Sequence, residues 1–198
     1  MSNVKLSDAE LALACNADVL LTKNSIINKV YEMFGHLSEV YTHALDTIEI
    51  AGEVKKNSAK ISKGENYQGL PWVMLDYPRL FSGNNIFSIR TMFWWGNHFS
   101  VFILLKGAYL PSDIANKIFK IEEGNEWYLC KTTDQWQHHF EEDNMVSIKQ
   151  LTKPEATDII TGCGFLKLGT KIPIERWESV KIFMEENFIK MIHLVNVS

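Results

Sequence analysis

The sequence predicts an α+β fold, with an antiparallel sheet of about five strands packed with a long N-terminal helix and a long C-terminal helix. Apolar stripes with helical spacing lie near each end of the chain, and they enclose a central region of short aromatic-rich segments. Those segments follow one another through short turns and do not alternate with crossover helices, which favours antiparallel pairing. We therefore expect one domain over residues 1–198, with helix within 1–50, a loop at 51–70, mainly sheet over 71–170 and a helix over 173–196.

The composition is that of a folded globule. Hydrophobic residues make up 46% of the 198 residues and charged residues 22%, which excludes general disorder. The net charge of −4, with acids and bases interspersed, does not suit a general nucleic-acid binder. The N-terminus lacks a basic region before an apolar core, and no apolar run approaches the length of a membrane span. We expect a soluble cytoplasmic protein with no membrane partner.

The N-terminal region carries two helix signals. Ser7 and Glu10 fit a capping box at the start of a short helix. A long helix follows, because apolar residues recur at alternating spacings of three and four: Ile27, Val30, Phe34, Leu37, Tyr41, Ala44 and Ile48. This stripe is predicted to pack on the sheet of its own chain, and a homodimer seam along it is the alternative.

The central region reads as a loop followed by strands. Residues 55–69 are polar and rich in turn formers, so they are assigned to the loop, and they lack the glycine and lysine pattern of a phosphate-binding loop. Strands are expected at 71–78, 85–95, 98–106, 126–131 and 164–172, with a short helix at 111–120 and an irregular stretch at 132–145. The C-terminal helix is predicted to begin near Pro173, since proline suits a first turn.

The stretch FSIRTMFWWGNHFSVFILL is predicted to form a hairpin around Gly96 and Asn97. A two-residue turn there would set Trp95 opposite His98 and Arg90 opposite Ile103. Both faces of this hairpin are mostly apolar, which predicts a central position covered on both sides. The helices would cover one face, and loops, a second subunit or a ligand would cover the other.

Arg90 is the candidate ligand-binding residue of the hairpin. A guanidinium among apolar neighbours needs an acceptor, because an unpaired buried charge is very unfavourable. One interpretation is a structural ion pair with Asp76 on the preceding strand. The other is recognition of an anionic group of a ligand at a pocket shared with Trp94, with Arg79 and His98 as further candidates.

The stretch DQWQHHFEED offers a second candidate site. His138 and His139 are able to bind Zn, Fe or Ni, and four acidic residues flank them. Adjacent side chains of an extended chain point to opposite sides, however, so only an irregular loop would bring both rings to one ion. If the stretch is extended, His138 shares a side with Trp136 and Phe140 and is the inward one.

The sequence identifies no cofactor and no familiar catalytic motif. Its three cysteines are far apart without a C-x-x-C pair, which favours reduced thiols. The leading hypothesis is a non-catalytic module that holds a small anionic or amphipathic ligand, or a protein partner, near Arg90. The alternative is a metal-dependent or acid–base enzyme that uses His138 and His139.

Overall fold

The computed structural model describes residues 4–121 and 126–195. Within these ranges seven antiparallel strands form one sheet in the order β1-β2-β3-β4-β7-β5-β6. The antiparallel α+β prediction is confirmed, but the sheet has seven strands and not about five. The strands are β1 Lys60–Tyr67, β2 Leu70–Ser82, β3 Asn85–Trp94, β4 His98–Lys106, β5 Tyr128–Cys130, β6 Met145–Ser147 and β7 Phe165–Pro173.

The two strands that the sequence did not predict are at the edges of the sheet. β1 lies within the stretch that was expected to be a loop, because its sequence KISKGENY is polar and lacks an apolar alternation. It pairs along β2, from Lys60 opposite Asp76 to Tyr67 opposite Leu70. Polar and charged residues are typical of edge strands, where they oppose pairing with another chain. The tertiary pairing therefore overrides a weak local preference.

Five helices accompany the sheet in the described residues: α1 Asp8–Ala14, α2 Ala17–Asp46, α3 Ile114–Ile118, α4 Lys153–Cys163 and α5 Trp177–Val195. The predicted capping box of Ser7 and Glu10 is present at α1. α4 was not predicted, although Thr152 and Glu155 form a second capping box and Gly164 ends the helix in the left-handed conformation. That signal was readable from the sequence.

Pro173 is a strand residue and not the start of the last helix. It is the final residue of β7 and lies opposite His98, and α5 begins at Trp177 after one 3-10 turn. The apolar stripe of α5 is buried at Val180, Met184 and Phe188. Proline is tolerated at a strand end as well as at a helix start, so its position alone does not separate the two.

The register of the β3–β4 hairpin differs by one residue from the prediction. Trp94 lies opposite His98, and Arg90 lies opposite Phe102 and not Ile103. Trp95 and Gly96 are the central residues of the turn, with Gly96 at φ 69 and Asn97 N–H donating to the carbonyl of Trp94. Asn97 is therefore an additional turn residue. Relative to β3, the three-residue connection places every β4 side chain on the face opposite to the predicted one.

The two faces of the sheet have different covers. α2 and α5 pack on one face, joined by a parallel stack of Tyr41 on Phe188 with ring centroids 3.7 Å apart. The stripe of α2 packs into this core of its own chain, through Val30, Phe34, Leu37 and Tyr41. Residues 131–144, which we call the covering segment, pack through Phe140 onto the other face, against Phe102 and Leu104. No helix of the described chain has the length and apolarity needed to cross a membrane.

Candidate functional site

Arg90 and Asp76 form an ion pair on the face beneath the covering segment. The β2–β3 register sets them directly opposite each other. Arg90 Nε lies 2.6 Å from Asp76 Oδ1, and Nη2 lies 3.0 Å from Oδ2. Their side chains are 19% and 11% exposed. The structure therefore contains the pair that one interpretation of the sequence named, in the side-on geometry that a guanidinium and a carboxylate favour.

His138 extends this pair into a longer chain of polar groups. Its Nε2 atom lies 2.7 Å from Arg90 Nη1, and its Nδ1 atom lies 2.8 Å from Lys167 Nζ. Lys167 is on β7 and only 2% exposed. We call the sequence Asp76–Arg90–His138–Lys167 the buried polar chain. It ties β2, β3 and β7 to the covering segment.

The donors and acceptors of this chain define its protonation. A guanidinium only donates, so Arg90 requires His138 Nε2 to accept. The Nδ1 atom of a neutral His138 then carries the proton and donates to Lys167, which accepts only as an unprotonated amine. That amine has two N–H donors, and two carbonyl oxygens accept them, Gln135 O at 3.0 Å and Gln137 O. An ammonium at Lys167 would instead place one of its N–H donors against the N–H donor of His138 Nδ1.

The electrostatic surroundings agree with a neutral amine. The pKa of Lys167 is lowered from 10.5 to about 7, chiefly by burial and in part by the Arg90 guanidinium, while Cys130 and Asp134 act in the opposite direction. Burial likewise lowers the pKa of His138 well below 6.5, and Lys167 when it is protonated and the Arg90 guanidinium add to the effect. Above neutral pH the uncharged forms of both groups therefore dominate.

A small cavity lies beside the buried polar chain. Its enclosed part is about 10 Å³, which is room for roughly one water molecule. Arg90, His138 and Lys167 all line it, and its other walls come from the sheet and the covering segment: Phe81, Ser88, Phe102, Leu104, Gln135 and Trp136. Phe81 and Trp136 are 44% and 47% exposed, with ring centroids 5.9 Å apart. We call these two rings the aromatic mouth.

Phe102 forms the apolar floor beneath the chain. Its ring centroid lies 5.5 Å from that of His138 and 4.9 Å from Lys167 Nζ. Gly169 on β7 lies opposite Phe102, and a Cβ atom at Gly169 would come within 2.3 Å of the ring. The glycine therefore makes the space in which the ring supports His138 and Lys167.

His139 belongs to a separate cluster that anchors the covering segment. The Tyr67 hydroxyl accepts the backbone N–H groups of His138 at 2.6 Å and His139 at 3.2 Å, and it lies 3.0 Å from His139 Nδ1. Gln68 Nε2 also approaches Nδ1, at 2.9 Å. His139 Nε2 lies 3.2 Å from Asp143 Oδ1, outside hydrogen-bond alignment. Tyr67 was not predicted as a site residue, because residues 55–69 were expected to form a loop.

The two histidines do not converge. The ring nitrogens of His138 face Arg90 and Lys167, while those of His139 face Tyr67 and Asp143. In residues 4–121 and 126–195, no three side chains among histidine, cysteine, aspartate and glutamate are grouped as a metal ion would require. The metal interpretation of His138 and His139 gains no support from this geometry.

The other predicted ligand residues are not part of the buried polar chain. Arg79 Nε donates to Ser58 O at 2.7 Å. Trp94 is buried, donates from Nε1 to Tyr67 O at 3.3 Å and meets His98 edge to face. Burial lowers the pKa of His98 to about 4, with a smaller contribution from the nearby Lys171 charge. The structure thus brings together Arg90, Asp76 and His138, and adds Lys167.

Fold and site together define an α+β protein with ionisable groups buried between an antiparallel sheet and one irregular segment. Comparison with protein-family models, with curated proteins and with solved structures found no match to this chain.

Proposed function

We propose that this protein binds a small carboxylate-bearing ligand at the aromatic mouth, with Arg90 as the group that recognises the charge. The observation that supports the proposal is the number of donors on Arg90. A guanidinium has five N–H donors. Within the described chain, three of them have partners, on Asp76 and His138. One N–H on Nη1 and one on Nη2 remain, beside a cavity, on a side chain that is 19% exposed.

The walls of the mouth indicate what the rest of the ligand is like. The ring of Trp136 lies 5.6 Å from Arg90 Cζ, and Phe81 completes the opening. Exposed aromatic rings beside a charged donor favour a ligand with an apolar or planar part next to its anionic group. Because the enclosed space holds only about one water molecule, the body of the ligand would lie over the two rings.

A titration with benzoate, acetate and inorganic phosphate tests this proposal. Tryptophan fluorescence should change saturably with benzoate, since Trp136 lies at the mouth, and acetate should bind more weakly because it lacks the ring. The double variant Asp76→Leu/Arg90→Met removes the charges without leaving either one unpaired. It should lose at least about tenfold in benzoate affinity, which corresponds to 1.4 kcal/mol.

Arg79→Met is the matched control, because Arg79 is on the neighbouring strand and contacts Ser58. It should bind benzoate like the wild type. Equal benzoate affinity in the double variant, or no saturable signal in the wild type, would rule out recognition by Arg90.

A further inference from the structure

We propose that Lys167 is a nucleophilic amine that forms an imine with the carbonyl carbon of a small 2-oxo acid, whose carboxylate contacts Arg90. The carboxylate part of this assignment rests on the proposed function, whereas the reactivity of the amine does not. Lys167 and Arg90 line the same cavity, together with His138. A 2-oxo acid carries its carbonyl carbon next to its carboxylate, so one small molecule presents both groups to this cavity.

The surroundings of Lys167 favour the free amine that such chemistry needs. A lysine attacks a carbonyl only as the free amine, and proteins provide that form by apolar burial or by a neighbouring cation. Here the apolar surface is Phe102 and the cation is Arg90. A neutral amine at Lys167 donates its two N–H groups to Gln135 O and Gln137 O and accepts from His138 Nδ1 with its lone pair, so every donor and acceptor has a partner.

The step balances without an oxidant or a reductant. The Nζ lone pair leaves the His138 Nδ1–H and forms a bond to the carbonyl carbon, while the C=O π electrons move to oxygen. One amine proton reaches that oxygen, relayed by the adjacent His138 ring, and gives a carbinolamine. The nitrogen lone pair then forms the C=N bond as the C–O bond breaks. The oxygen leaves as water with the second amine proton.

Imine formation has a structural consequence. Both amine protons leave, so the hydrogen bonds from Lys167 to Gln135 O and Gln137 O are lost. Those bonds hold the covering segment against β7. Because the enclosed volume is only about 10 Å³, the cavity must widen before a 2-oxo acid enters, and Trp136, at 47% exposed, is its most exposed wall residue. Reaction and opening of the covering segment are thus coupled.

Reductive trapping tests the proposal on the full chain. The protein is incubated near neutral pH with glyoxylate and cyanoborohydride, and the modified lysines are identified by peptide mass spectrometry. Lys167 should be labelled at least about tenfold faster than exposed Lys171, its matched control on the same strand. An ordinary lysine of pKa about 10.4 is almost fully protonated at that pH. Labelling of Lys167 no faster than Lys171 would overturn the proposal.

A second aldehyde separates the two parts of the assignment. Formaldehyde has no carboxylate, so it reports only how the loss of the Arg90 charge changes the amine itself. In Asp76→Leu/Arg90→Met, glyoxylate labelling of Lys167 should fall at least about tenfold more than formaldehyde labelling. If the variant loses glyoxylate and formaldehyde labelling of Lys167 by the same factor, the reactive amine is supported and the assignment to 2-oxo acids is wrong. If benzoate binds through Arg90 but neither aldehyde labels Lys167, the proposed function stands and the reactive lysine fails.

Discussion

Lys167 is the residue that most changes the interpretation of the site. A charge in an apolar strand stands out, so Arg90 was identifiable from the sequence, with Asp76 as one candidate acceptor. An extended stretch around His138 favoured an inward ring. Lys167 was missed because a lone lysine within GFLKLGTKI does not reveal which face of the strand it occupies. Its burial depends on the pairing of β7 with β4 and on the covering segment, both of which are long-range contacts.

Replacement of Lys167 by arginine tests the neutral amine by stability. Arginine keeps a basic end, on a longer side chain, but does not deprotonate in proteins. A guanidinium at position 167 would place an uncompensated charge against the His138 donor. We expect Lys167→Arg to lower the free energy of unfolding by about 3 kcal/mol or more in urea denaturation. Lys171→Arg on the same strand should change it by less than about 0.5 kcal/mol. Similar unfolding midpoints for the two variants would contradict a neutral Lys167.

Gly169 offers a test of the floor beneath His138. A Cβ at this position would press on the buried Phe102 ring at 2.3 Å. Overpacking of this kind costs typically 1–3 kcal/mol, and we expect Gly169→Ala to lose an amount in that range. Gly162→Ala is the control, because Gly162 is in α4, a Cβ added there would meet no atom within 4 Å, and alanine favours a helix. Thermal unfolding should show opposite signs for the two substitutions, and equal shifts would argue against the tight contact.

At the scale of elements, the helices were more predictable than the sheet edges. The stripes of α2 and α5 are long and periodic, so local sequence fixes which face is buried. The hairpin register was wrong by one residue because Gly96 supports a positive φ in more than one kind of turn. β1 was missed because an edge strand need not be apolar. Since Tyr67 is the last residue of β1, its contact with the covering segment was missed as well.

Tyr67 anchors the covering segment, and removal of its hydroxyl should loosen that segment alone. Tyr67→Phe leaves the backbone N–H groups of His138 and His139 without their acceptor. Unsatisfied buried donors cost about 1–3 kcal/mol each. We expect faster amide hydrogen exchange in residues 131–144, with little change in α2 and α5. Tyr31→Phe on α2 is the control. Unchanged exchange in the covering segment would show that Tyr67 does not hold it.

At the scale of the whole molecule, the buried amine links stability to pH. The pKa of Lys167 is 10.5 in the unfolded chain and about 7 in the folded protein. Between these values the unfolded chain binds a proton that the folded protein does not, so the free energy of unfolding rises with pH. Below about pH 7 both states are protonated and the contribution no longer changes.

Urea denaturation at a series of pH values between about 7.5 and 9 measures this slope. The wild type should become more stable as the pH rises, and Lys167→Met should lack that part of the slope. The window ends at about 9 because burial raises the pKa of the Cys163 thiol above 9.0, and its titration then acts with the opposite sign. Identical slopes in wild type and Lys167→Met would exclude a depressed pKa at Lys167.

The most direct measurement is ¹⁵N nuclear magnetic resonance of the lysine side-chain nitrogen and the histidine ring nitrogens. At about pH 8, we expect the Nζ resonance of Lys167 at the position of a neutral amine, with a titration midpoint of about 7, and His138 with its proton on Nδ1. An ammonium resonance for Lys167 at that pH, together with a His138 proton on Nε2, would contradict the protonation of the buried polar chain and remove the basis for a reactive lysine.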